Sequence, residues 1–337
     1  MPRIDLFYYG DTSPGQSPHE LYRDIEEQVV LGDRLGYNGV WVTEHHLQWR
    51  GEIPDPLLFL ARISGRTERI RLGTSIVCAP YYNPIRLAES ALLLDSVSGG
   101  RLDLGVGSGI GDAALSFAMG VDDDPSTLSP RAREIFEILH QAFDTGIVDF
   151  QGEYYRYEDV RLSPTTTRAA NDLIWVAAGR NSTELAARHG YRLMIPRPLP
   201  LEERLRFNRE YREVTGGDGE VIHLRSGLVG RTRDEARRDA VEFLREYARI
   251  YLRLDWDGGP DSAQFDEIAE RLSFAVGTAA DVADQIWAWT EQFDGTEQTA
   301  IQFQGPGVSN ETVLRAIELF SAELPALQAD VKKEVAA

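Results

Sequence analysis

Short runs of apolar and β-branched residues alternate along this chain with longer stretches whose apolar positions recur at helical spacing. "RIDLFYY" (3–9) reads as a strand, and "PHELYRDIEEQVVLGDRLG" reads as a helix. In that helix Leu21, Ile25, Val29 and Leu35 fall on one face, and Gly36 supplies the stop. The pairing then repeats. "GVWVTE" precedes the helical "DPLLFLARISGRT", and "IRLGTSIV" precedes "PIRLAESALLLDSVSGG". "RLDLGVG" is followed by a long helix over about Pro130 to Phe143. "LIWVAAG" leads into "STELAARHG", and "YRLMI" into "LEERLRFNREYREVTG". "VIHLRSGLVG" leads into "RDEARRDAVEFLREYARIYLRL", and a further helix is read at "AADVADQIWAWTEQF". The eighth strand, "EQTAIQFQG", precedes "NETVLRAIELFSAEL".

Eight strands with intervening helices predict an α/β fold, a (β/α)₈ TIM barrel, as one domain over residues 1–324, with a polar tail at 325–337. The alternative is a doubly wound open sheet. Two stretches break the rhythm. Residues 146–162 carry turn glycines and alternating aromatics and read as a hairpin. Residues 255–276 read as an irregular, lid-like excursion after the seventh strand and its helix.

Composition narrows the function. The 337 residues include 54 acidic and 35 basic side chains, a net charge of −19, which opposes a nucleic-acid backbone or an anionic membrane surface. The start has no apolar signal core and no run is long enough for a membrane helix. The single cysteine, Cys78, rules out an internal disulfide and a cysteine-rich zinc site; it reads as buried and inert. The expected location is cytoplasmic.

In a barrel the chemistry lies at the carboxyl ends of the strands. That rule brings four stretches to one face: Glu44-His45-His46, Ser75 to Pro80, Gly105 to Gly111, and Ala178 to Ser182. Adjacent histidines on an extended strand point apart and do not share an ion, so no metal site is expected. They are either polar loop residues or a pair of which one faces the mouth. "GVGSGIG" lacks the spacing of a dinucleotide fingerprint and the ending of a P-loop; its small residues suit a flat ligand lying close to the backbone. Gly179, Arg180, Asn181 and Ser182 open a helix, where free amides, the helix dipole and Arg180 favour a phosphate; the plain alternative is N-capping by Asn181 or Ser182. There is no Gly-x-Ser-x-Gly nucleophile elbow.

Taken together, "GVWVTEHH", "NPIR", "LLLDSVSGGRLDLGVGSG", "WVAAGRNSTELAARHG" and "FAVGTAADVADQI" resemble the bacterial luciferase-like family of flavin-dependent oxidoreductases, over roughly residues 3–324. The resemblance implies a monooxygenase that uses reduced FMN, delivered by a separate flavin reductase, and dioxygen. A small organic substrate would be oxidised through a flavin hydroperoxide. It implies a homodimer built on the second and third helices, which carry Leu57, Leu58, Leu60, Ile63, Leu87, Leu92 and Leu93. It makes His45 the catalytic residue, with Glu44 and His46 positioning the loop. Glu44, Ser75 and Ile76 would line the flavin, with a cis peptide bond between Ser75 and Ile76. Gly107 and Ser108 would lie beside it, and Ala178, Gly179, Arg180, Asn181 and Ser182 would hold its phosphate. The family likeness also makes 255–275 a mobile loop, removable without loss of the barrel. Luciferase itself carries a cysteine and an arginine where this chain has Gly107 and Ser108, so light emission is not expected. Two alternatives share the pattern: hydride transfer with a deazaflavin coenzyme, and a non-catalytic, flavin-binding or partner-stabilising subunit.

Overall fold

The computed structural model describes residues 3–47, 51–109, 113–121, 130–197, 199–293 and 298–329. Eight parallel strands close a barrel: β1 (Ile4–Tyr8), β2 (Gly39–Val42), β3 (Arg71–Thr74), β4 (Leu102–Gly107), β5 (Ile174–Ala177), β6 (Arg192–Ile195), β7 (Val221–Val229) and β8 (Gln298–Gln302). Pairing runs in chain order, and β8 closes the ring against β1, with Ile4 opposite Thr299. The helices α1 (Pro18–Leu35), α2 (Pro56–Ser64), α3 (Pro84–Val97), α4 (Pro130–Thr145), α5 (Ser182–His189), α6 (Leu201–Thr215), α7 (Arg233–Tyr247) and α8 (Asn310–Ser321) wrap it. Local chemistry sets their ends. Ser17 and Glu20 form a capping box at the start of α1, and Gly36 ends it in a left-handed conformation.

Strand alternation divides the apolar residues. Ile4, Leu6 and Tyr8 of β1 join the layer between barrel and helices. Phe7 points the other way, into a cluster with Trp41, Trp175, Met194, Ile222 and Leu224 that fills the lumen. Below that cluster Asp5 accepts from Trp41 Nε1 at 2.6 Å and Asn38 Nδ2 at 2.7 Å. Burial raises the proton affinity of its carboxyl group. The lumen is therefore packed from below, and a cavity opens at the carboxyl ends of the strands.

The hairpin expected at 146–162 is present as Ile147–Gln151 paired antiparallel with Arg156–Arg161. The excursion after α7 is more ordered than its sequence predicts. α7 runs into a π-helical turn, Ala248–Leu252, and the chain is irregular only until 264. Phe265–Arg271 is a helix, and Phe274–Gly277 is a strand that pairs with the carboxyl-terminal part of β7. Phe265, Ile268 and Phe274 are buried in the main core, so this part is a packed element rather than a removable flap. The tail also differs from the expectation. Leu324–Ala329 is helical and Leu327 is buried, because its apolar side chain reaches the core. Residues 330–337 lie outside the described residues.

Candidate active site

A cavity of about 840 Å³ opens at the carboxyl-end mouth of the barrel. Its wall brings together the residues singled out from the sequence: Glu44 and His45 after β2, Ser75 and Ile76 after β3, Gly107 and Ser108 at β4, and Ala178 to Ser182 after β5. Residues 48–50 of the histidine stretch and 110–112 beyond "GVGSG" lie outside the described residues.

The two histidines part company. His46 Nε2 lies 2.8 Å from Glu44 Oε1, and Tyr82 donates its hydroxyl to Glu44 Oε2 at 2.9 Å. Glu44 is buried, so these contacts hold its carboxylate in one place. Burial and the neighbouring Glu44 carboxylate both push the Tyr82 hydroxyl well above its usual range, and they act in the same way on the buried Cys78 thiol. Cys78 lines the cavity, but its neighbour there is the Glu44 carboxylate, which disfavours the thiolate a nucleophile needs. His45 instead lies in the cavity wall, its ring 4.3 Å from that of Tyr9. Its backbone amide is tied to Ile53 at 3.1 Å. Gly51, at φ +66°, leaves the ring its place: a Cβ there would lie 2.3 Å from His45 Cδ2.

Beneath the mouth, β3 breaks after Thr74 and resumes at Val77–Cys78, which pairs with β4. The Ser75–Ile76 peptide bond between them is cis, the isomer the family likeness implies. Gly107 faces it closely, since a Cβ on Gly107 would lie 2.5 Å from Ile76 Cδ1. Ser75, Ile76, Gly107 and Ser108 line the cavity here.

The amino end of α5 forms the opposite wall. Asn181 precedes the helix but its side chain caps nothing, and Ser182 donates its hydroxyl to Ala177 O at 2.7 Å. The N-capping alternative therefore does not describe this helix. Its amino end faces the cavity together with the exposed guanidinium of Arg180, which makes no ion pair among the described residues. Amides, dipole and charge converge as an anion requires. A Cβ at Gly179 would lie 2.9 Å from Ser182 Oγ, the hydroxyl that donates to Ala177 O.

Among the lining residues that sequence reading missed are Phe7, Tyr9, Arg197 and Tyr251. Phe7 and Tyr9 follow from the parity of β1, since both alternate with the outward Tyr8. Arg197 stands just past β6, where the carboxyl-end rule would have found it. Tyr251 carried no signal, because the π-helical turn after α7 sets its direction.

A family model described as luciferase-like monooxygenase matches residues 3–294. The oxygenase component of a flavin-dependent trigonelline monooxygenase from Acinetobacter baylyi is 32% identical over 204 residues, 59% of this chain and 55% of that one. An F420-dependent glucose-6-phosphate dehydrogenase from Amycolatopsis mediterranei is 30% identical over 163 residues, 47% of this chain and 48% of that one. Among solved structures, the monooxygenase RslO1 from Streptomyces bottropensis superposes with a TM-score of 0.86 at 24% identity, covering 97% of this chain and 100% of that one. The oxygenating constituent of 3,6-diketocamphane monooxygenase from Pseudomonas putida, in complex with FMN, gives 0.78 at 20% identity, covering 96% and 98%. The structures establish the barrel, and the match across most of the chain establishes the lineage: the protein belongs to the luciferase-like monooxygenase family.

Proposed function

We propose that this protein is a flavin-dependent monooxygenase that oxidises a small organic substrate with reduced FMN and dioxygen, the FMN being reduced by a separate reductase. One observation carries the reading: a single cavity joins His45, the Ile76–Gly107 floor and the uncapped amino end of α5. FMN fits that set. The amides at the start of α5 and Arg180 would hold its phosphate, and the Ile76–Gly107 floor would lie against its ring. Reduced FMN supplies the electrons that activate dioxygen, one oxygen atom passing to substrate and the other to water. The chain's own part is to hold, exclude and transfer protons. Phe7, Ile76 and Leu224 give an apolar lining that keeps water away from the reacting centre. His45 exchanges a proton at the cavity wall, while Glu44 and His46 hold its loop.

Anaerobic titration with reduced FMN, followed by air and product analysis across a panel of aldehydes, ketones, alkanes and aromatic acids, tests this reading. Failure to bind reduced FMN would sink it. Binding with peroxide as the sole product across the panel would favour a non-catalytic flavin-binding subunit. The F420-dependent relative supports a second reading, hydride transfer with a deazaflavin. The absorption spectrum of the ligand that reconstitutes into the pure protein separates the two. The family likeness further supports a homodimer and a cytoplasmic enzyme. No helix among the described residues is long and apolar enough to cross a membrane.

A further inference from the structure

The cavity holds a second cation that the phosphate end does not use. Arg197 lies over the rings of Phe7 and Tyr247, 5.3 and 4.7 Å from their centroids, so its guanidinium packs against both aromatic groups. Nη2 donates to the Tyr247 hydroxyl at 2.9 Å and to Gln302 Oε1. Nε is buried without a hydrogen-bond partner, and among the described residues Nη1 has none either. No carboxylate lies within ion-pairing distance of it among the described residues. Asp11 accepts from the Tyr247 hydroxyl at 3.0 Å and favours the Arg197 charge through space, without an ion pair to it. Burial works against the charge, but Tyr247, Tyr251 and Asp11 outweigh it and keep the group protonated. Tyr251 lines the same cavity, its ring 5.1 Å from that of Tyr247, and its hydroxyl has no hydrogen-bond partner among the described residues.

We infer that Arg197 and Tyr251 form a subsite for the carboxylate of an organic acid, and that the substrate is an anion. This inference rests on the flavin reading for the rest of the cavity. A guanidinium with unused donors beside a hydroxyl matches the geometry of a carboxylate. Phe7 and Leu224, on the same wall, suit the hydrocarbon part of an acid and offer nothing to a second phosphate. The chain's charge of −19 repels an organic anion at long range, so its capture needs a cation inside the cavity, where solvent screens it less.

The test uses the FMN-loaded protein and two matched pairs of probes, benzoate with benzamide and octanoate with octanamide, in calorimetric titrations. At least one acid is expected to bind tenfold or more tightly than its amide. Arg197→Gln is expected to remove that preference, a loss of roughly ten- to hundredfold in acid affinity, with FMN affinity unchanged. Arg197→Lys should restore part of it, and Tyr251→Phe should weaken the acid alone. Equal binding of acid and amide by the wild type, or a preference that survives Arg197→Gln, overturns the proposal. So does a loss of FMN affinity in Arg197→Gln, which would assign the guanidinium to the flavin. The wild-type comparison decides the matter even where a variant fails to fold. If the wild type binds no FMN, the flavin reading fails by itself, and the acid–amide comparison is still read on the flavin-free protein.

Discussion

Glu44 and His46 are joined at 2.8 Å, and that contact separates the work of two adjacent histidines. His46 is committed to a buried carboxylate, while His45 stands against Tyr9 in the cavity wall. His45→Ala should keep the fold and most FMN affinity, yet slow the chemical step about 10²–10⁴-fold. His46→Ala should slow it less than about tenfold, while costing about 1–3 kcal/mol of stability by taking a partner from buried Glu44. Single-turnover product formation from pre-reduced enzyme, with urea melts of both variants, makes the comparison. Near-normal turnover by His45→Ala would remove it from the chemistry.

His223 on β7 predicts a pH dependence of stability. It is fully buried, with Nδ1 3.2 Å from Arg204, and burial followed by Arg204 and Arg225 holds its pKa well below the ordinary imidazole value. The folded protein therefore keeps it neutral while the unfolded chain takes up a proton below about pH 6.5. Its contribution to stability is present above that pH and is lost as pH falls, by about 1.4 kcal/mol per unit. Urea unfolding at pH 7.5 and 5.5 should show the wild type losing more than His223→Gln by roughly that slope. Parallel losses would contradict the assignment.

If Arg180 holds the FMN phosphate as proposed, Arg180→Ala removes a charge-assisted contact at the amino end of α5. FMN affinity should fall roughly ten- to hundredfold, and the remaining affinity should depend less on salt. Titration at two ionic strengths reads both effects. Unchanged affinity would move the phosphate elsewhere.

Of the leucines that suggested a dimer face, Leu57, Leu60, Leu87 and Leu92 prove to be buried inside the protein. Leu58 on α2, with Leu93 and Val97 on α3, remains 70%, 55% and 61% exposed. If they form a dimer face, the wild type should scatter light as a dimer at micromolar concentration, and Leu58→Arg with Leu93→Arg should scatter as a monomer. A monomeric wild type ends the proposal.

Much of the barrel was legible because two periods are written into the chain. Two-residue alternation in "RIDLFYY" separates Ile4, Leu6 and Tyr8 from Phe7, and helical spacing with a terminal glycine bounds α1. The carboxyl-end rule then collected most of the cavity wall without knowledge of any contact. What stayed hidden depends on three-dimensional context. Arg197 reads as a loop arginine until Phe7 and Tyr247 enclose it. Tyr251 is aimed by a π-turn that no spacing announces. Phe265, Ile268 and Leu272 do stand at helical spacing, but glycines and charges just before them argued for a loop. The strand at Phe274 also exists only because β7 runs long enough to pair with it.

That last segment yields a prediction opposite to the one its sequence suggests. As a free flap, residues 258–271 would be removable with the barrel intact. In the structure Phe265 is fully buried and packs against Trp256, and the Arg237 guanidinium lies 4.0 Å over its ring. Ile268 is buried beside it. Deletion would strip both from the core and detach the strand that lengthens the sheet beyond β7. Phe265→Ala should therefore cost about 3–5 kcal/mol, a large part of a domain's usual stability. Asp257→Ala and Asp261→Ala, in the irregular part, should stay within about 0.5 kcal/mol of the wild type, because both side chains are exposed. Urea unfolding separates the two classes. If Phe265→Ala unfolds at the wild-type midpoint, the segment is not part of the core, and its reading as a removable flap is restored.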